Sequence, residues 1–81
     1  MAAGPRVVLY VRAGCHLCAD AEDVCARVCA AAGVEYLLVD VDSDPHLRAL
    51  HSDHVPVAVV DGDVLSRWFL DPDALTAALA R

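Results

Sequence analysis

The chain contains no lysine. Six arginines stand against twelve acidic residues, giving a formal net charge of −6. Such an excess of acid repels phosphate backbones and anionic membrane surfaces. Aromatic side chains are nearly as scarce, with only Tyr10, Tyr36, Trp68 and Phe69 present, too few for a platform on which bases stack. Nucleic acid is therefore not expected as a partner. Long apolar runs are missing as well. The longest, Val7–Val11 and Val55–Val60, fall far below the ~18 residues of a spanning helix, and no membrane partner is expected. The segment Met1–Pro5 is too short to hold the parts of a signal peptide. The expected setting is therefore the reducing cytoplasm, where structural disulfides are rare. In that setting four cysteines indicate metal binding, redox chemistry or buried apolar thiols rather than a disulfide framework.

What the chain does have is apolar mass. Hydrophobic residues fill 58% of its 81 positions, which excludes a disordered tail and supports one small domain over residues 1–81. A monomer is the simplest expectation for its assembly. Arg6–Arg12 holds V-V-L-Y-V between two arginines, a run suited to a strand covered on both faces. After Gly14 the composition turns to helix formers from His16 to about Ala32, with Gly33 as the stop. At 100° per residue Leu17, Ala21, Val24 and Val28 share one face, with Asp20, Asp23 and Arg27 opposite. Glu35–Val41 is a second apolar run, so strand, helix and strand make a βαβ unit with parallel strands. Asp42–Asp53 reads as a short helix opened by Asp44-Pro45 and anchored by Leu47 and Leu50. Pro56–Val60 and Val64–Trp68 flank Asp61-Gly62, a strong hairpin signal. A last helix starts at Asp71 and Pro72, with Leu75 and Leu79 as its apolar stripe. The resulting order is β-α-β-α-β-β-α.

Chemistry concentrates at Cys15 and Cys18, in C-H-L-C at the head of the first helix. Two intervening residues put both sulfurs within one helical turn, close enough to join as a disulfide. Cys15 falls in the N-cap region, where unpaired N–H groups and the helix dipole favour a thiolate nucleophile. Cys18, one turn inside, is the natural resolving thiol. A C-x-x-C beside a βαβ unit in a cytosolic chain is a redox signature. A structural zinc needs four ligands. Cys25 and Cys29 lie too far along the helix to complete one with Cys15, since fourteen residues rise about 21 Å. Cys25 reads as a small core residue, and Cys29, nearer the rim, as a spare thiol. His46, His51 and His54 lack the spacing of a helical metal site and read as surface histidines. His16, next to Cys15, adds positive charge beside a thiolate when protonated.

Together, Y-V-R-A-G-C-H-L-C and, forty residues on, H-V-P-V-A-V-V-D-G resemble a glutaredoxin, most of all the small glutaredoxin-like proteins of bacteria. The resemblance runs from about Arg6 to Leu79. It implies a thioredoxin fold with a four-stranded mixed sheet flanked by helices, and it makes Pro56 a cis-proline facing the cysteine pair. The Val55 backbone would then be free to pair with an extended substrate. Arg12 matches a position that is often basic in the family. It serves there to stabilise the Cys15 thiolate or a substrate carboxylate, or it is simply a solvated arginine. His16 and Leu17, between the cysteines, complete the expected substrate-contacting set of Arg12, His16, Leu17, Val55 and Pro56.

The chain also departs from the family. It has His16-Leu17 where many members have Pro-Tyr, and it lacks the C-G-F-S motif of cluster carriers. Where glutathione-dependent members have Gly-Gly after the hairpin, it has Ser66 and Arg67 and then Trp68, putting side chains in the way of a glutathione backbone. Asp71 and Asp73 set negative charge where the family receives a glutathione carboxylate. Trp68 either forms part of a substrate surface beside Pro56 or caps the core edge. The expected activity is thiol–disulfide exchange on a protein or small-thiol disulfide, with Cys15 attacking and Cys18 resolving. No resident cofactor or metal is expected, and glutathione and a flavoprotein reductase both stay open as the reductant. Two other classes stay open too, a thioredoxin-fold adaptor without redox turnover and a metal carrier using Cys15 and Cys18.

Overall fold

β-Branched and aliphatic residues set the centre of a sheet. In a computed structural model, which describes residues 5–81, Val7–Val11 forms β1 with neighbours on both sides. The expected domain of residues 1–81 and the segment Met1–Pro5 both include residues 1–4, which lie outside the described residues. β1 pairs in parallel with β2 (Tyr36–Asp40) and antiparallel with β3 (Val57–Val60), which pairs antiparallel with β4 (Asp63–Arg67). The order across the sheet is β2-β1-β3-β4. With α1 (His16–Ala32), α2 (Pro45–His51) and α3 (Pro72–Leu79), the chain is an α/β thioredoxin fold with a mixed four-stranded sheet. Among the described residues no helix is long and apolar enough to cross a membrane.

Local chemistry explains the joints. α1 ends where Gly33 takes φ 69°, so that its N–H reaches Ala30 O and the Val34 N–H reaches Cys29 O at 2.9 Å. A side chain there would be strained in the left-handed region, which glycine enters freely. The β3–β4 turn has Asp61 at φ 52° and Gly62 at φ 88°, two positive values in succession as a two-residue hairpin requires. Arg6 clamps this turn to the start of β1. Its guanidinium holds both Asp61 carboxylate oxygens at 2.9 Å and also donates to Leu79 O at the end of α3.

One face of the sheet carries the core. Val7 and Leu9 are fully buried against α1 and α3, with Val60, Leu75 and Ala78. The buried stripe of α1 is Cys18, Ala21, Val24, Cys25 and Cys29, rotated from the face centred on Leu17, Ala21, Val24 and Val28. Leu17 is exposed, because that rotation puts Cys18 inward in the first turn and turns Leu17 outward. Cysteine behaves as a small hydrophobe and buries readily, and Cys29 accordingly sits in the core instead of at the rim.

The other face of the sheet is covered only in part. α2 has seven residues, none of them buried, so Leu47 and Leu50 do not anchor it as expected, and Leu50 is exposed. It packs on the single 3-10 turn Val41–Ser43. A row of residues in register, Leu37, Val8, Val59 and Val64, is left partly open across all four strands. β1 is therefore sealed on one face, where two-sided cover was expected. A helix of two turns cannot roof a four-stranded sheet.

Candidate active site

Strand directions bring three distant stretches of sequence to one end of the sheet. β1 runs out through Arg12 to Cys15. β3 begins at that end, with Val57 beside Tyr10, so that Pro56 lies just beyond the ladder. β4 finishes there, with Arg67 beside Val57, and hands the chain to Trp68. The Trp68 N–H donates to Pro56 O at 2.9 Å and to His54 O at 3.1 Å.

Cys15 is the N-cap of α1. Its backbone is extended, with φ −101° and ψ 114°, after Gly14 at φ 75° has turned the chain. Its Sγ accepts the Cys18 N–H at 3.1 Å, taking the place of the oxygen that usually caps a helix. Both cysteines are free thiols, with Cys15 partly exposed and Cys18 buried. Burial pushes the Cys18 thiol well above its ordinary range, and its hydrogen bond to Cys15 adds to the shift, against a smaller opposing pull from the Arg12 backbone. The pair is thus unequal. Cys15 is partly exposed and its sulfur accepts a helix N–H, whereas Cys18 is buried as a neutral thiol.

The remaining expected residues divide. The Val55–Pro56 bond is cis and Pro56 is buried. Among the described residues, the Val55 backbone makes no hydrogen bond outside the helices and strands. His16 and Leu17 are exposed on the first turn of α1, beside Cys15. Arg12 is partly exposed and ion-paired. Its Nε and Nη2 hold the two Asp42 oxygens at 2.9 and 2.8 Å, and Asp42 also accepts from Arg48 at 3.1 Å. Chiefly through Arg12, this holds the Asp42 carboxyl at about 2. Ser66 turns its hydroxyl inward, buried without a partner among the described residues, so of the Ser66-Arg67 pair only Arg67 is exposed.

Trp68 does not cap the core, being 53% exposed. Its indole Nε1–H donates to Asp53 O at 3.0 Å, and its ring meets His54 edge to face at 5.5 Å. The contacts of Trp68 with Asp53 and His54 carried no signal in the sequence, because both join residues more than ten positions apart. His51 lies against Tyr10, with ring centroids 4.5 Å apart. Among the described residues no three His, Cys, Asp or Glu side chains converge as metal ligands.

Residues 6–80 match the profile of the family described as glutaredoxin-like domain (DUF836). An uncharacterized protein of Mycobacterium tuberculosis is 35% identical over 82 residues, covering 95% of this chain and 84% of that protein. The X-ray structure of a protein from X. campestris aligns with a TM-score of 0.76 at 32% identity, covering 91% of this chain and 95% of that one. The crystal structure of a wheat glutaredoxin aligns with a TM-score of 0.61 at 15% identity, over 82% of this chain and 65% of that one. This last likeness concerns the fold alone.

Proposed function

The chain belongs to the glutaredoxin-like domain family, and from that premise we propose that it is a thiol–disulfide oxidoreductase working through Cys15 and Cys18. The observation that carries this reading is the asymmetry of the pair, with a partly exposed Cys15 Sγ at the helix N-terminus accepting the N–H of a buried Cys18. The half-buried Val55, its backbone free beside Pro56, supports the reading by offering hydrogen bonds to an extended substrate.

In the forward direction the Cys15 thiolate attacks one sulfur of a substrate disulfide. The other sulfur leaves as a thiolate and takes a proton from water. Cys18 then loses its proton and attacks the Cys15 sulfur of the mixed disulfide, which expels the second substrate thiolate. A Cys15–Cys18 disulfide remains, and two electrons have passed to the substrate. An external thiol such as glutathione, or a flavoprotein reductase, returns them. The protein acts in this scheme as a monomer in a reducing cytoplasm, on disulfides of proteins or small thiols.

Titration in graded glutathione buffers, followed by alkylation and mass spectrometry, tests the scheme. Cys15 and Cys18 are expected to oxidise together within the ~−200 to −270 mV range of glutaredoxins and thioredoxin. The Cys18→Ser protein is expected to stall as a mixed disulfide on Cys15, and Cys15→Ser to form none. Independent oxidation of the two thiols, or thiols that stay reduced across the range, would exclude the scheme and leave an adaptor or metal-carrying role to be examined.

A further inference from the structure

Trp68 occupies a backbone conformation that a bulky side chain rarely adopts. Its φ is 64°, in the left-handed region that glycine enters at no steric cost. Strain retained at a site marks a residue held for use there, and the surroundings of Trp68 fix it closely. Its N–H is shared between Pro56 O and His54 O, its indole N–H is held by Asp53 O, and the His54 ring meets it edge to face. The hydrogen bonds grip the backbone and the polar edge of the indole. More than half of the residue's surface stays open to solvent. A tryptophan serving the core would have the opposite arrangement, with its faces buried. Leu17, two residues beyond Cys15, and Phe69 are also exposed, at 46% and 65%, and belong to the same end of the sheet.

Taking the oxidoreductase reading as its basis, we infer that Trp68 is the specificity-determining residue of the site, presenting its indole to an apolar or aromatic side chain next to the cysteine of a polypeptide disulfide. A peptide lying extended along Val55 carries its cysteine toward Cys15 and a neighbouring side chain toward the indole. Glutathione has two carboxylates and no apolar side chain with which to use that surface. Along the neighbouring chain, exposed Asp53, Asp71 and Asp73 outnumber the one exposed cation, Arg67, a balance that disfavours a small anion and leaves an uncharged apolar side chain at no disadvantage.

The test uses two disulfide-linked peptides that differ only in the residue after cysteine, phenylalanine in one and glycine in the other. For the wild-type protein, kcat/KM is expected to be about tenfold higher on the phenylalanine peptide, the scale of one apolar contact made in the transition state. In Trp68→Gly, whose backbone suits the left-handed conformation, the ratio is expected to fall to near one. Because Trp68 is the single tryptophan of the chain, its fluorescence reports contact independently of turnover and of any substitution at that position. In Cys18→Ser protein trapped with the phenylalanine peptide, emission should shift to shorter wavelength and quenching by acrylamide should fall, with neither change for the glycine peptide. Equal rates on both peptides, a ratio that survives in Trp68→Gly, or unchanged emission in the trapped complex overturns the assignment of Trp68 and leaves the oxidoreductase reading standing. If the wild-type protein reduces neither peptide nor glutathione disulfide, the oxidoreductase reading falls and this inference with it.

Discussion

At the scale of single residues, burial separates four cysteines into two kinds. Cys15 is partly exposed at a helix end, while Cys18, Cys25 and Cys29 lie in the interior. Burial pushes the Cys25 thiol up to about 12, aided by Cys29 and Glu22, and it raises Cys29 as well. A neutral, inaccessible thiol is a poor nucleophile. Iodoacetamide is therefore expected to modify Cys15 in the folded protein and to reach Cys25 and Cys29 only after denaturation. Peptide mapping that finds Cys29 modified as fast as Cys15 would contradict its place in the core. The C-x-x-C pair was legible in the sequence because its spacing alone fixes its geometry. The burial of Cys29 was not, since its exposure depends on which face of α1 meets the sheet. The partner of Arg12 was equally hidden, because Asp42 lies thirty residues along the chain.

At the scale of elements, caps and turns carry the boundaries. Asp44 and Asp71 cap α2 and α3 by accepting the N–H two residues on, each followed by proline. Gly33 closes α1 in the left-handed conformation, with no atom within 4 Å of where a Cβ would stand. Gly33→Ala is thus free of collision and strained only in its backbone. It is expected to cost about 1 kcal/mol, read as a lower urea midpoint with an unchanged slope, and Gly33→Asn is expected to cost less because asparagine tolerates this region better. A loss of several kcal/mol would show that the terminus is packed more tightly than the open space around it suggests. These local signals set α1 and the hairpin at their expected places. α2 is the exception, with an apolar pattern for anchoring but no buried side chain, because a helix buries leucines only where a neighbouring surface receives them.

At the scale of the whole molecule, titration sets the pH window in which the fold is most stable. Cys18, Cys25 and Cys29 have raised values in the folded state. Their contribution is complete below the ordinary thiol value of 9.0 and is lost as pH rises above it, since the unfolded chain then releases protons that the folded chain keeps. At the acid end the signs reverse. His51 is lowered from 6.5, mainly by burial. Asp61 is lowered from 3.8 by its hydrogen bond to Arg6, and Asp42 falls to about 2 beside Arg12 and Arg48. Each contributes fully above its ordinary value and loses that contribution as pH falls through its folded one. Stability to urea is therefore expected to be highest between about pH 7 and 9, to fall in alkali by up to ~1.4 kcal/mol per pH unit for each thiol ionised only in the unfolded chain, and to decline more gently in acid. Replacing Cys25 and Cys29 by alanine should flatten the alkaline limb, and an unchanged limb would refute the assignment to thiols.

Reading along the chain was enough for the order of elements, the extent of α1 from His16 to Ala32, the Asp61-Gly62 turn and the C-x-x-C pair, together with the likeness of these motifs to glutaredoxins. Each depends on neighbours along the chain, where propensity, capping and spacing act directly. Folding in three dimensions settled the rest: Cys29 lies in the core, Arg12 is held by Asp42, one sheet face stays partly open, and Trp68 stands exposed beside Pro56. Those outcomes depend on which surfaces meet across strands and loops, and packing of that kind is not encoded within any single stretch of residues.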